Sequence, residues 1–159
     1  MALFLSTYVN KVDRKGRVSV PARFRETLLG QSFSGIVVYR SLKLPAIECC
    51  GFDRIAQLSA RLDQLNEYSE ERDALSSVMA DSQELAFDGE GRILLPQPFC
   101  AHAGIAENAA FVGLGATFQI WEPEGFARHQ EEMRERARQR GMTLPPLAAA
   151  LPSPREAPR

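Results

Sequence analysis

Residues 9–25 read Val-Asn-Lys-Val-Asp-Arg-Lys-Gly-Arg-Val-Ser-Val-Pro-Ala-Arg-Phe-Arg, and the interpretation of the whole chain starts from them. After Gly16, valine alternates with polar residues, which predicts a strand with one face toward the core. Gly16 can supply the positive φ of a tight turn, and Asp13 can accept hydrogen bonds from the N–H groups of that turn. Pro21 favours a helix start. The stretch therefore predicts a strand, a rigid turn, a second strand and a short helix.

The same pattern returns 75 positions later, where residues 88–99 read Asp-Gly-Glu-Gly-Arg-Ile-Leu-Leu-Pro-Gln-Pro-Phe. Seven positions match at this single offset: Asp13/Asp88, Gly16/Gly91, Arg17/Arg92, Val18/Ile93, Val20/Leu95, Pro21/Pro96 and Phe24/Phe99. A weaker sequence match aligns Ile36–Val38 with Phe111–Gly113. The chain is therefore interpreted as a duplicated unit. Because a half of about 75 residues buries little surface alone, we expect the two copies to pack as one body with a pseudo-two-fold axis.

Composition excludes several classes of protein. The chain has 159 residues, of which 45% are hydrophobic and 25% charged, as in ordinary globular proteins. No apolar run approaches the ~20 residues of a membrane span, and the N-terminus lacks the basic start of a signal peptide, so we expect a cytoplasmic protein. Three cysteines predict no disulfide framework. Cys100 and His102 are too few ligands for zinc, so no metal and no cofactor is predicted.

Charge is distributed unevenly along the chain, although the net charge is only -1. Residues 1–50 contain eight basic and three acidic side chains, whereas residues 51–91 contain three basic and ten acidic ones. A basic patch on an otherwise acidic body is typical of a site that directs nucleic acid to one place. Catalysis is not predicted, because Ser6, Ser19 and Ser34 have no histidine nearby in sequence and Gly113-Leu114-Gly115 does not continue as a phosphate-binding loop.

The pattern divides the chain into five segments. Residues 1–52 form a first unit, residues 53–82 a helical linker pair, residues 83–126 a second unit, residues 127–141 a charged helix and residues 142–159 a disordered Pro-rich tail. Within the linker, apolar spacing predicts helices over 53–66 and 70–80, and Asp53 is the expected capping residue of the first.

Residues 8–25, together with the second Asp-x-x-x-Arg motif at Asp88 and Arg92, resemble the bacterial MraZ family. The likeness covers residue 3 to about residue 140. It implies an α+β fold in which two tandem AbrB/MazE-like swapped-hairpin units form a double-split β-barrel with flanking helices. It also implies ring-shaped homo-oligomers and a nucleoid-associated transcriptional regulator. Such a regulator binds repeated short G-rich promoter boxes upstream of the division and cell wall gene cluster.

Six basic residues are candidates for contact with double-stranded DNA: Lys11, Arg14, Lys15, Arg17, Arg23 and Arg25. Those on the first strand and turn can meet phosphates, and an arginine can donate to O6 and N7 of guanine in the major groove. Arg17 either reads a base or orients the turn, and both assignments stay open. Arg23 and Arg25 can reach flanking phosphates, although Arg23 can instead only shield Phe24.

Five further residues are assigned a structural part in the two motifs: Asp13, Gly16, Asp88, Gly91 and Arg92. In the second copy Gly89 and Glu90 replace Arg14 and Lys15, and a carboxylate at the apex repels phosphate. We therefore expect Asp88 and Arg92 to be structural or to face a subunit, and DNA to be contacted mainly by the first turn.

Other interpretations of the same residues remain open. The turn can be a plain solvated hairpin, since an exposed ion pair stabilises a fold only weakly. A single turn makes few phosphate contacts, so several copies on a ring would bind by multivalency. Such copies could be joined through a strand edge or through the Leu3-Phe4-Leu5 end, which we expect to be exposed. The alternatives in function are an AbrB-type antitoxin and a protein-binding scaffold ring that does not touch DNA.

Overall fold

The structure is a computed structural model that describes residues 2–145. This part of the chain is mixed α+β, with eight strands and five helices. The strands are β1 (Thr7–Lys11), β2 (Arg17–Ser19), β3 (Gly35–Arg40), β4 (Ile47–Cys50), β5 (Gln83–Ala86), β6 (Arg92–Leu94), β7 (Asn108–Gly113) and β8 (Phe118–Trp121). The helices are α1 (Ala22–Thr27), α2 (Phe52–Gln64), α3 (Glu70–Asp81), α4 (Gln97–Ala103) and α5 (Pro123–Gln139). Contacts divide the chain into a main body that ends at Phe126 and a second part that starts at Ala127.

Each copy of the motif contributes a hairpin, β1–β2 or β5–β6, and the first strand of each hairpin pairs with a strand of the other copy. Six strands form an antiparallel sheet in the order β1-β7-β8-β4-β3-β5, so β1 pairs with β7 and β5 pairs with β3. The second strands of the two hairpins, β2 and β6, form a separate antiparallel ribbon. The two copies of the sequence pattern are therefore interleaved within one body.

Strand register locates the pseudo-two-fold relation between the halves. Val18 pairs with Ile93, its own counterpart 75 positions later, and Glu48 pairs with Gln119, 71 positions later. β1 and β5 are counterparts 75 positions apart, and β1 pairs with β7 just as β5 pairs with β3. The two pairings have the same register only if each residue of β3 corresponds to the residue of β7 that lies 73 positions later. The sequence match of Ile36 with Phe111 was therefore two residues out of register, because the loops before and after β7 are shorter than those around β3.

The ribbon lies against the main core with one face and exposes the other. Val18 and Ile93 are each 1% exposed and belong to the largest buried cluster. That cluster includes a group of aromatic rings: Phe24 lies 4.9 Å from Phe118 and 5.3 Å from Phe4, between ring centroids. Burial of one such side chain contributes roughly 1.5–3 kcal/mol, so this core fixes the ribbon and its two turns in place.

The linker helices occur where the periodicity predicts them, but Asp53 does not cap the first. The residue before α2 is Gly51, which has no side chain to act as a cap. Gln31, from the loop after α1, accepts a hydrogen bond from the Asp53 backbone N–H at 3.0 Å through Oε1. The cap of α2 is therefore a tertiary contact, which a local sequence pattern cannot reveal.

Two other expectations concern the ends of the chain and a third concerns membrane spans. Leu3 and Leu5 are exposed, but Phe4 between them is 4% exposed and packs in the core. The predicted tail at 142–159 lies outside the described residues from 146 onward, and residues 142–145 lack regular secondary structure. Among the described residues, no helix is both long and apolar enough to cross a membrane.

Candidate nucleic-acid interface

The turn between β1 and β2 is held by the carboxylate of Asp13. Its Oδ1 accepts hydrogen bonds from the backbone N–H groups of Lys15 at 2.9 Å and Arg17 at 2.8 Å, and its Oδ2 accepts one from Arg17 Nε at 2.7 Å. Gly16 follows with φ +89°, a conformation that side-chain-bearing residues rarely adopt. The hydrogen bond from the Arg17 backbone, above all, holds the pKa of Asp13 below its ordinary value of 3.8. The carboxylate therefore stays charged and restrains Arg17, while Arg14 and Lys15 at the apex remain exposed.

The turn between β5 and β6 has the same construction. Asp88 Oδ1 accepts hydrogen bonds from the backbone N–H groups of Glu90 and Arg92, both at 2.9 Å, and Oδ2 accepts one from Arg92 Nε at 2.8 Å. Gly91 has φ +75°. The pKa of Asp88 is lowered, chiefly by the backbone hydrogen bond from Arg92. The two turns thus share one geometry and differ at the apex, where Gly89 and Glu90 take the places of the two cations.

The outer face of the ribbon places the arginines of both motifs side by side. Arg17 pairs with Leu94 across the two strands, and Ser19 pairs with Arg92. These four side chains point away from the core, because Val18 and Ile93 between them are buried. The pKa of Arg92 is raised, first by its hydrogen bond to Asp88 and to a smaller extent by the charge of Asp13 in the other motif. The motifs therefore form one continuous surface.

Lys11 and Arg23 are two further exposed cations. Lys11 lies at the end of β1, and Asn10 beside it donates from Nδ2 to the carbonyl of Ser19 at 2.7 Å, which joins β1 to the ribbon. The side chain of Arg23, on α1, is 79% exposed and lies 3.8 Å from the carboxylate of Glu26. Both cations can reach a ligand in solvent.

Arg25 lies on the second turn rather than beside the first. It is half-buried, and its Nε donates a hydrogen bond to the carbonyl of Val20 at 3.1 Å. A Cβ built on Gly91 would lie 2.5 Å from Arg25 Nη1, so the guanidinium rests directly against that glycine. The corresponding residue of the second copy is Cys100, and a Cβ built on Gly16 would instead meet the Leu95 carbonyl oxygen at 3.2 Å and the Leu94 side chain at 3.5 Å. Sequence reasoning missed this contact because it crosses between the two copies.

The two residues considered for a metal site are accounted for by the fold. His102 Nε2 lies 3.0 Å from the carbonyl oxygen of Leu44, and Cys100 is 7% exposed. Within residues 2–145 no group of three or more histidine, cysteine or acidic side chains is arranged to hold a metal ion.

Comparisons with known proteins agree with the motif. A family model described as "MraZ protein, putative antitoxin-like" matches residues 78–143. The chain is 45% identical over 145 residues to a protein named Transcriptional regulator MraZ from Rickettsia rickettsii (strain Sheila Smith), which covers 91% of this chain and 97% of that protein. It is 44% identical over the same length, with the same coverage, to the protein of that name from Rickettsia akari (strain Hartford). The chain belongs to the MraZ family.

Family membership supports two predictions from the sequence. The resemblance to MraZ through the two Asp-x-x-x-Arg motifs is confirmed. The prediction that the chain is not an enzyme agrees with a family whose members are named as transcriptional regulators.

Proposed function

We propose that this MraZ-family chain is a transcriptional regulator that binds double-stranded DNA through the turn at residues 13–17. The observation that carries the proposal is a rigid, exposed turn whose carboxylate holds Arg17 in one orientation and leaves Arg14 and Lys15 free to meet phosphates. A two-stranded ribbon fits the major groove, where an arginine can donate to O6 and N7 of guanine. The proposed targets are repeated short G-rich promoter boxes upstream of the division and cell wall gene cluster.

The interleaved strands support the finer part of the fold proposal. Each hairpin gives its first strand to the other half, which is the exchange that a swapped-hairpin AbrB/MazE-like pair requires. We propose on this basis that residues 1–52 and 83–126 are two such units in a double-split β-barrel, with 53–82 as the linker pair, 127–141 as the charged helix and 142–159 as a tail.

The two turns are proposed to make unequal contributions. Both present an arginine on the outer ribbon face, but Glu90, 75% exposed in its side chain, lies 3.6 Å from Arg92 and competes with any phosphate for it. We assign the main DNA contacts to Lys11, Arg14, Lys15 and Arg17, and keep Arg23 on α1 as a candidate for a flanking phosphate. Arg25, Asp88, Gly91 and Arg92 support the second turn and the ribbon.

One turn offers few phosphate contacts, so strong binding to promoter repeats requires several copies. A ring-shaped homo-oligomer would present several turns to several boxes at once and bind through multivalency. A regulator of this kind acts on the chromosome, which places it in the cytoplasm in association with the nucleoid.

A pair of matched variants tests the proposal. Asp13→Asn and Asp88→Asn remove the same carboxylate charge from turns of the same geometry, so a general effect on folding will appear in both. We expect Asp13→Asn to weaken binding of a labelled promoter fragment by at least tenfold and Asp88→Asn to change it less than threefold. Equal losses would contradict the assignment to the first turn.

Arg17 is tested separately. If it reads a base, Arg17→Ala lowers the ratio of affinity for promoter DNA to affinity for unrelated DNA. If it only orients the turn, both affinities fall together. A wild-type protein that shows no salt-dependent DNA binding would contradict the proposal and favour the scaffold function.

The antitoxin function is the second candidate, because the description of the matching family model contains that word. An antitoxin must suppress a toxin, so co-expression with toxins encoded in the same genome distinguishes it from a regulator that acts on DNA alone.

A further inference from the structure

The outer face of the ribbon is built from both copies of the motif. Its four outward positions are Arg17 and Ser19 of β2 and Arg92 and Leu94 of β6. At the offset of 75, Arg17 corresponds to Arg92 and Ser19 corresponds to Leu94. Across the strands, however, Arg17 pairs with Leu94 and Arg92 pairs with Ser19. One arginine of this face therefore has an apolar neighbour, and the other has a hydroxyl neighbour.

Leu94 lies at the turn to which we assign the DNA contacts. It is 55% exposed, and its Cδ1 would lie 3.5 Å from a Cβ built on Gly16. It also lines the same surface pocket as Arg14 and Lys15. A single exposed leucine is ordinary on a protein surface, so its exposure alone assigns no function. What distinguishes Leu94 is that an apolar side chain of the second copy is exposed among the cations of the first turn.

The major groove offers a partner for each side chain of the Arg17–Leu94 pair. Guanine presents O6 and N7 as acceptors, and thymine presents its 5-methyl group, which apolar side chains contact. Asp13 accepts its hydrogen bond from Nε of Arg17, so that bond does not use the two Nη groups of the guanidinium. Side chains that lie directly opposite on one face of two strands have Cβ atoms about 5 Å apart, and successive base pairs are about 3.4 Å apart. The pair can therefore contact two neighbouring base pairs.

We propose that Leu94 packs against the 5-methyl group of a thymine in the major groove beside Arg17. Leu94 is then a specificity residue that the second copy of the motif supplies to the turn of the first. At the Arg92 end of the face the corresponding residue is Ser19, which offers a hydroxyl instead, so the ribbon recognises its box in one direction. The inference rests on the proposed DNA-binding function and deepens it by naming a chemical group of the target.

Deoxyuridine tests the contact without any change to the protein. It pairs with adenine as thymine does but has no 5-methyl group, so each thymine of a single-box promoter duplex can be replaced in turn. The apolar contact of one methyl group corresponds to about a fourfold change in affinity. We expect fluorescence anisotropy with wild type to show a loss of this size for thymine on one side of the guanines of the box. Replacements outside the box should leave the affinity unchanged.

Leu94→Ala removes the same contact from the protein side. We expect this variant to bind the thymine duplex about fourfold more weakly than wild type and to lose nothing further with deoxyuridine. Its slope of log K against log salt concentration should equal that of wild type, because no charge is removed. Leu42→Ala is the matched control, since Leu42 is 64% exposed and lies between β3 and β4, outside the ribbon. Circular dichroism and urea denaturation establish that both variants are folded, and the wild-type deoxyuridine series requires no variant.

Each contrary outcome overturns a different statement. A wild type that binds the thymine and deoxyuridine duplexes equally overturns the methyl contact and leaves the DNA-binding function unaffected. Equal losses with deoxyuridine for wild type and Leu94→Ala overturn the assignment to Leu94, which then only packs against the turn at Gly16. Losses of equal size on both sides of the guanines overturn the single direction. A wild type without salt-dependent binding to either duplex overturns the proposed function together with this inference.

Discussion

Neutralising the apex of the first turn should reduce the salt dependence of DNA binding by a calculable amount. The perturbation is the double variant Arg14→Ala/Lys15→Ala. Both side chains are exposed, whereas Arg17 of the same turn is held by Asp13 at 2.7 Å. The variant therefore removes two cations without removing the hydrogen bonds that build the turn.

The expected magnitude follows from counterion release. Each phosphate neutralised by a cation contributes about −0.9 to the slope of log K against log salt concentration, so two lost contacts change the slope by about 1.8. Between about 50 and about 200 mM salt, a fourfold increase, the wild-type affinity should then fall about 12-fold more than that of the variant. A fragment that carries one box is required, because several turns bound at once would multiply the difference.

Fluorescence anisotropy with a labelled single-box duplex, titrated at four or five salt concentrations, measures both slopes. The matched control is Arg54→Ala/Arg61→Ala, which removes the same net charge from exposed positions of α2. We expect this control to keep the wild-type slope within about 0.3. An unchanged slope for the turn variant, or an equal change in the control, would refute the assignment of phosphate contacts to the first turn.

Three further predictions concern the fold. Gly91→Ala should lower the free energy of unfolding more than Gly104→Ala. Both residues have positive φ, which costs about 1–2 kcal/mol for alanine. Only at Gly91 would the new Cβ displace a side chain, the guanidinium of Arg25, and so break its hydrogen bond to the Val20 carbonyl. Urea denaturation measures both, and equal losses would show that the contact is unimportant. The hydrogen bond from the Arg40 side chain, above all, lowers the pKa of Asp81 below its ordinary 3.8. The ionised Asp81 therefore contributes its full stabilisation above that value and loses it as the pH falls through the folded-state pKa. Between about pH 5 and pH 2.5 the free energy of unfolding should fall more for wild type than for Asp81→Asn, and parallel pH curves would contradict this. All three cysteines are buried, and burial raises the pKa of each thiol, to about 11 for Cys50. Ellman's reagent should therefore react with the thiols only upon unfolding. Rapid labelling of the folded chain would show that the core opens.

Local chemistry accounts for what the sequence could predict of the two turns. Asp13 and Gly16 lie within five residues of each other, and a carboxylate followed by a glycine of positive φ specifies such a turn without help from the rest of the chain. The same holds for Asp88 and Gly91, and for helices whose apolar spacing is regular, such as α2 and α3. The repeat of Asp-x-x-x-Arg was also sufficient to recognise the family.

The assignments that failed or were missed involve contacts between distant segments. The cap of α2 comes from Gln31, and Arg25 of the first copy rests on Gly91 of the second. Phe4 was expected to be exposed with its neighbours but packs against Phe24 and Phe118. The match of β3 with β7 was two residues out of register because loop lengths, which apolar patterns do not constrain, differ between the copies.

By itself, the sequence determined the two turns, the chemistry of their apices, the duplication and the family, because each depends on residues that are neighbours along the chain or on a repeated motif. Only the tertiary structure decided that β1 pairs with β7 and β5 with β3, that both arginines share one ribbon face, and that the Arg25 guanidinium rests on Gly91. Those relations arise from strand exchange, in which the partner of each strand is chosen by burial and hydrogen bonding across the whole core rather than by any local pattern.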